Sequence, residues 1–332
     1  MFDSYDSLDY STKRAFLEAV YAVYPTEYAA AMDSILAYET NPKLFAICAV
    51  YLFRIDHSIQ NGNHIKLKMV EQFPSYDSTD LLIELEKHLN FDSTIRIPSV
   101  TDLVKFHQRS GNKVIYSFQR RNRDYPGLAI VQNADGSFAR RADGRLLVFE
   151  QLARSGSSLP YFLTNGNTPQ GIYRVTGIGV ANNKFIGPTP NLQMIMPFED
   201  SLEKFFQYKW DSSVSPIAAY NQLLPLSWQQ YEPIHQAFHA GKIGRSEIIA
   251  HGTTLDPEYF KDKPWYPLSP TLGCLCAKEL WNTSNGKLLI SEQYNLYSAF
   301  VSSPGKNGYL IVVDIDNDER KVTREDIERL IK

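Results

Sequence analysis

The sequence predicts an α+β chain in two domains: a helical domain over residues 1–98, then a mainly β domain over residues 99–332 with a helical, aromatic insertion at about 199–245. Three observations predict it. Apolar residues between 11 and 91 recur at helical spacing. Ile97-Pro98-Ser99 reads as a boundary. Beyond it, short alternating runs are separated by Gly- and Asp-containing turns, which is a meander of strands and not an alternation of strand and helix.

In chain order, Ser11 or Thr12 is placed to cap a first helix carrying Phe16, Leu17, Val20 and Val23 on helical spacing. Pro25-Thr26 breaks it, and Tyr28 to Tyr38 resumes. Asn41-Pro42 combines a capping side chain with proline at the first helical position, and Leu44, Ile47, Cys48, Tyr51, Leu52 and Ile55 then share a face. Leu81, Leu82, Leu85 and Leu89 mark a later helix. Strands are expected at Lys113–Arg120, Leu128–Gln132, Arg145–Leu152, Gly171–Ile178 and Gln193–Met196, with tight turns at Asn133-Ala134-Asp135-Gly136 and Ala142-Asp143-Gly144. The insertion, with Phe205, Phe206, Tyr208, Trp210, Trp228, Tyr231 and Phe238, reads as added core in preference to a substrate cover. Ala277–Trp281 is expected to form a helical turn, Lys287–Glu292 and Tyr309–Ile315 closing strands, and Thr323 with Asp326 the cap of a last helix.

Composition narrows the function. The chain has 332 residues, 43% of them hydrophobic, and a formal net charge of −3, so nothing argues for a nucleic-acid surface. No apolar run is long enough to span a bilayer as a helix. Residues 1–10 carry three acids and no base, which is not the start of a signal peptide, so the chain is expected to be cytoplasmic or to have lost a leader. Three cysteines, Cys48, Cys274 and Cys276, do not make a disulfide scaffold.

The chemistry concentrates between Ser246 and Asn282. An apolar run, Ile248-Ile249-Ala250, ends on His251-Gly252, and a Pro- and aromatic-rich loop leads to Thr271-Leu272-Gly273-Cys274. A histidine and a cysteine at the ends of neighbouring segments can meet in space. A free cysteine with a pKa of about 8.5 is mostly thiol at neutral pH, and a nearby imidazole can take its proton and return it to a leaving group. Gly273 allows a sharp turn before the sulfur, and amides around that turn could hold an oxyanion.

These residues resemble the catalytic signature of the L,D-transpeptidase (YkuD-like) family: His-Gly after an apolar strand, then Ser or Thr, any residue, Gly, Cys. The matching residues are His251, Gly252, Thr271, Gly273 and Cys274. Upstream, Thr168-Pro169-Gln170-Gly171-Ile172-Tyr173 is similar to a second family segment, in the family's order. The resemblance implies a catalytic domain of that family over 99–332. Cys274 would form a thioester with a peptidoglycan stem peptide, His251 acting as base, with Thr271, Gly273 and Gly252 in support and no metal or cofactor. It also implies a bacterial cell-envelope location. Where the family carries Arg two residues after the nucleophile this chain has Cys276, and where many members carry His before Gly-Cys it has Leu272. Another cation is then expected to serve the groove, and Arg174, Arg245 and Lys278 lie nearest the motifs in sequence. The alternatives are a non-catalytic peptidoglycan-binding or interaction protein and an L,D-carboxypeptidase. Transfer against hydrolysis, the acceptor and the oligomeric state stay open.

Other patterns carry less. His235 and His239 have metal-compatible spacing but no further ligand nearby in sequence, and read as surface histidines. Asp314, Asp316 and Asp318 lack the glycine and final Glu of a calcium loop, and read as a solvated acidic turn. Gly177-x-Gly179 lacks the rest of a dinucleotide fingerprint. Cys276 reads as a small buried residue.

Overall fold

The computed structural model describes residues 2–90, 94–306 and 308–331. Residues 91–93, within the predicted helical domain, lie outside the described residues. The chain divides into two units, one of residues 1–95 with 155–167, the other of residues 96–154 with 168–332.

The first unit is built on α1 (Tyr10–Val23), α2 (Ala29–Leu36), α3 (Pro42–Ile55), α4 (Ile59–Gln72) and α5 (Asp80–Leu89). Asp9, not Ser11 or Thr12, caps α1, accepting the Thr12 amide at 3.0 Å. Asn41 caps α3, its side chain accepting from Lys43 and Leu44, with Pro42 opening the helix. Every residue from Leu44 to Leu52 is buried, the pattern of a helix surrounded on all sides, and α1, α2, α4 and α5 all pack on it. Residues 155–167 belong to this unit although they interrupt the β region in sequence. Their Leu159, Phe162 and Leu163 are buried, and Asn165 Nδ2 donates to Glu18 Oε2 at 3.1 Å.

The second unit corrects the expected fold class. In place of a mainly β, L,D-transpeptidase-like domain after a helical domain, its strands close into an eight-stranded mixed barrel, and over the chain 38% of residues are helical and 17% are in strands. The strands are β1 (Val114–Arg120), β2 (Gly127–Gln132), β3 (Phe149–Leu152), β4 (Gly171–Gly179), β5 (Asn191–Ile195), β6 (Ala250–His251), β7 (Leu275–Ala277) and, in a separate hairpin, β8 (Glu279–Trp281) and β9 (Leu288–Ser291), followed by β10 (Tyr309–Asp316). The barrel order is β1-β10-β4-β5-β6-β7-β3-β2. β1/β10 and β6/β7 are parallel and the remaining barrel pairs antiparallel. Local alternation finds strands; closure is a property of pairings such as β1 with β10, far apart in sequence.

The helices of this unit are α6 (Val100–His107), α7 (Leu202–Phe206), α8 (Pro216–Asn221), α9 (Gln236–Ile243), α10 (Glu292–Ser302) and α11 (Arg324–Leu330). Tyr116, Phe118, Leu128, Ile130, Ile172, Ile311 and Val313 pack with Leu103, Phe205, Tyr220, Trp228, Phe238 and Ile327 in one core. The aromatic insertion is thus core. Strand side chains alternate between faces, so the residues between, including Ser117, Gln119 and Ala129, take the opposite face. There Ser117 Oγ donates to Gln151 Oε1 at 2.6 Å and accepts from Gln119 Nε2 at 2.8 Å.

Three local expectations also change. Leu275–Ala277 and Glu279–Trp281 are strands and not a helical turn, because β7 is held between β6 and β3 and β8 pairs with β9. Asp314 is not solvated: it is buried and paired with Arg123, while Asp316 pairs with the fully buried Arg120. His235 is buried, its Nε2 sharing a hydrogen with Asn221 Oδ1 at 2.7 Å.

Candidate active site

The pairing of β6 with β7 joins the two halves of the motif. Ala250 lies opposite Leu275 and His251 opposite Cys276. The Leu275 amide donates to Ile249 O at 3.0 Å, carrying the contact back toward Cys274. His251 and Cys274 therefore sit diagonally across two neighbouring strands, with Cα atoms about 8 Å apart for a strand spacing of roughly 4.8 Å and a rise of roughly 3.3 Å per residue.

His251 is 4% exposed. Its Nδ1 bonds the carbonyl oxygen of Gly252. A carbonyl can only accept, so Nδ1 carries the hydrogen and Nε2 is the basic nitrogen. Burial holds this imidazole below its ordinary pKa, against the opposing pull of the Gly252 carbonyl, so the ring is neutral at neutral pH. A Cβ at Gly252 would meet the carboxylate of Glu279, which would have to move aside. That carboxylate is 2% exposed, receives the Ser291 hydroxyl and is pushed up by burial.

The Cys274 turn is held by two threonines. Gly273 has φ +113°, a conformation that favours glycine. Thr271 Oγ1 accepts from the Gly273 amide at 3.1 Å and donates to the Cys274 carbonyl at 2.8 Å. Thr168, from the upstream segment, donates its buried hydroxyl to the Gly273 carbonyl at 2.9 Å. Two of the three motif segments thus meet at this turn, and the third, His251-Gly252, lies on the strand paired with the one that follows it. One expected role changes: the Gly273 amide is engaged by Thr271 and does not point at a substrate oxygen, which leaves the Cys274 amide from the expected oxyanion pair.

The sulfur does not bond the imidazole. Cys274 Sγ donates to Glu247 O at 3.4 Å. Glu247 has φ +61°, unusual for a residue with a side chain, and is pinned there because Glu199 Oε1 accepts its amide at 2.6 Å while Oε2 accepts the Met196 amide at 3.0 Å. Burial pushes the Cys274 thiol up; the Ile249 backbone and Arg245 pull it down, and Glu247 and Glu199 raise it further. In this arrangement the cysteine is a parked thiol.

Of the three cations named from the sequence, Arg245 is the one whose charge lowers the Cys274 thiol, against the larger upward push of burial. Arg245 is 8% exposed and shares its electrostatic surroundings with Cys274 and Tyr173. Arg174 lies over the Tyr309 ring, 4.9 Å from its centre, and Lys278 pairs with Glu150 at 2.5 Å. Cys276 is fully buried, its thiol directed to the Ala277 carbonyl at 3.6 Å and pushed well up by burial. Sequence reasoning gave no role to Glu199 or Glu247. A glutamate in left-handed backbone and a carboxylate clamping two amides leave no pattern in a sequence. Thr168 was inside a matched segment, and only its contact with Gly273 reveals its job.

No protein-family model, no curated protein and no solved structure matches this chain.

Proposed function

We propose that this protein is a cysteine-dependent acyltransferase of the L,D-transpeptidase type, acting on peptidoglycan stem peptides and built on a closed mixed barrel. The observation that carries the reading is that Thr168 and Thr271 hold the Gly273–Cys274 turn while His251 lies on the strand paired directly with the one that leaves it. Unrelated matches to a short motif have no reason to meet in three dimensions. Neutral His251, with its hydrogen fixed on Nδ1, is in the correct form to accept a thiol proton on Nε2.

In this mechanism the Cys274 side chain leaves the Glu247 carbonyl and turns toward His251, a rotation about χ1 of the kind that tightens a site on substrate binding. The thiol proton passes to His251 Nε2. The sulfur bonds to the carbonyl carbon of the L-to-D peptide bond. Collapse of the tetrahedral adduct breaks the C–N bond, and the terminal D-residue leaves with the proton from His251. An amine of a second stem peptide then attacks the thioester, forming the cross-link and returning the thiol. Water in place of the amine makes the enzyme a carboxypeptidase.

The test is acylation. Incubation with a stem tetrapeptide or a carbapenem, followed by intact-mass measurement, is expected to give an adduct on wild type, none on Cys274→Ala and a much slower one on His251→Gln. An adduct on Cys274→Ala overturns the assignment of the nucleophile. A second reading, a non-catalytic muropeptide-binding protein, draws on the thiol being parked on Glu247. It expects binding without turnover and unchanged by Cys274→Ala.

A further inference from the structure

We infer that Glu279 is a positioning residue for His251: its buried carboxyl fixes the Gly252 carbonyl on Nδ1 and so keeps Nε2 as the basic nitrogen. This rests on His251 being the base of the proposed mechanism.

The histidine segment is held from outside the barrel, by the β8–β9 hairpin and the start of α10. At one end of β8, the Glu279 carboxyl occupies the place a side chain would take on Gly252. A Cβ built there would lie 2.0 Å from the carboxyl carbon and 2.2 and 2.5 Å from its oxygens. For a carbon–carbon bond of about 1.5 Å, the carboxyl carbon lies within about 3.5 Å of the Gly252 Cα, in direct contact. At the other end of β8, Trp281 Nε1 donates to the Thr253 carbonyl at 2.8 Å. From α10, fully buried Gln293 donates its Nε2 to the Ala250 carbonyl at 3.0 Å. The residues on both sides of His251-Gly252 are thus tied by hydrogen bonds, and Gly252 between them is held by Glu279.

Gly252 needs that contact more than its neighbours do. With no Cβ, glycine has the freest backbone of any residue type, and the Gly252 carbonyl is the group that decides the state of His251. It accepts from Nδ1, which fixes the ring hydrogen there and leaves Nε2 basic. If the Gly252–Thr253 peptide unit rotates, Nδ1 loses its acceptor and the hydrogen is free to move. An imidazole that carries it on Nε2 cannot accept a thiol proton at that nitrogen. The carboxyl is itself anchored. It is 2% exposed and receives the Ser291 hydroxyl, and Ser291 in turn caps α10 by accepting the Tyr294 amide at 2.8 Å. Burial pushes the carboxyl up, while Ser291, Thr189 and the Thr253 amide pull it down. That amide belongs to the same peptide unit as the Gly252 carbonyl and, in a trans unit, points the opposite way. Glu279 and His251 Nδ1 therefore hold one peptide plane from its two sides.

The experiment reads the tautomer without any substrate. Wild type, Glu279→Gln, Glu279→Asp and Glu279→Ala are prepared with isotopically labelled histidine. Long-range proton–nitrogen correlation spectra at neutral pH then show which ring nitrogen carries the hydrogen. The His251 signals are identified by their absence in His251→Gln, and melting temperature is recorded on the same samples. Wild type is expected to show His251 with its hydrogen on Nδ1 alone. Glu279→Gln keeps the shape and an acceptor for Ser291, and is expected to keep that signature. Glu279→Ala and the shorter Glu279→Asp are expected to lose it, with signals of the Nε2–H form appearing and carbapenem acylation of Cys274 slowed about tenfold or more. The wild-type signature retained in folded Glu279→Ala overturns the inference; retained in folded Glu279→Asp, it does the same if the alanine variant does not fold. So does wild-type His251 with its hydrogen on Nε2, or a glutamine variant that loses the signature. These outcomes are separate from the acylation assay: wild type with the expected signature that never acylates a stem peptide removes the transpeptidase reading and leaves the hold of Glu279 on His251 standing.

Discussion

Replacing Thr168 by valine tests whether the two motif segments support one another. The side chains are close in shape, so the change removes little besides the hydroxyl. The backbone anchor survives, because the Thr168 amide donates to Ala153 O at 3.0 Å. The loss is the bond to the Gly273 carbonyl, 2.9 Å long and donated by a side chain 1% exposed. A typical intramolecular hydrogen bond contributes about 1 kcal/mol, and leaving a buried acceptor unsatisfied costs about 1–3 kcal/mol. Gly273 is buried, so the upper part of that range applies, about 2–3 kcal/mol. For a unit of this size that corresponds to a fall in Tm of roughly 5–10 °C. Because the orphaned carbonyl directly precedes the nucleophile, carbapenem acylation of Cys274 is expected to slow more than stability alone explains. Thr168→Ser keeps the hydroxyl and is expected to retain most of both properties. Thermal unfolding and intact-mass acylation on the same preparations give the answer. A Thr168→Val protein with wild-type Tm and wild-type acylation rate refutes the claim that Thr168 holds the nucleophile turn.

Cys276→Arg is expected to fail. The site is fully buried on a strand held between β6 and β3, and burying a guanidinium there costs several kcal/mol, so a fall of roughly 10 °C or more in Tm is expected, with loss of acylation; a stable variant that acylates faster would show that the groove crosses this strand. The Asp326 carboxyl is held well below the usual carboxylate range, chiefly by the Arg320 side chain, with the Thr323 amide and Arg120 adding to it and burial opposing. The unfolded chain binds this proton more readily than the folded chain, so the stabilisation is full above about pH 4 and is lost as pH falls further toward the depressed folded value. Asp326→Asn should therefore lower Tm at neutral pH and flatten its decline below pH 4; an acid limb as steep as wild type would remove Asp326 from the acid-sensitive set.

The sequence by itself determined the local elements whose signals are short-range. Asn41-Pro42 capped α3 because the cap and the amides that donate to it lie within three residues. The capping box of Thr323 and Asp326 formed for the same reason. The residues of the candidate site were legible as a spaced pattern, including Arg245 as one of three possible cations. Tertiary structure decided the rest. Barrel closure depends on β1 meeting β10 across nearly two hundred residues, and alternation within a strand carries no record of its partner. The Ala277–Trp281 stretch became strand because its neighbours offered ladders, overriding its local preference. Residues 155–167 joined the helical unit because Leu159, Phe162 and Leu163 found burial there. Likewise, the parking of the Cys274 thiol on Glu247 is set by which segments pack together. Electrostatics and hydrogen bonds act over a few ångströms of space, and one-dimensional spacing does not measure that distance.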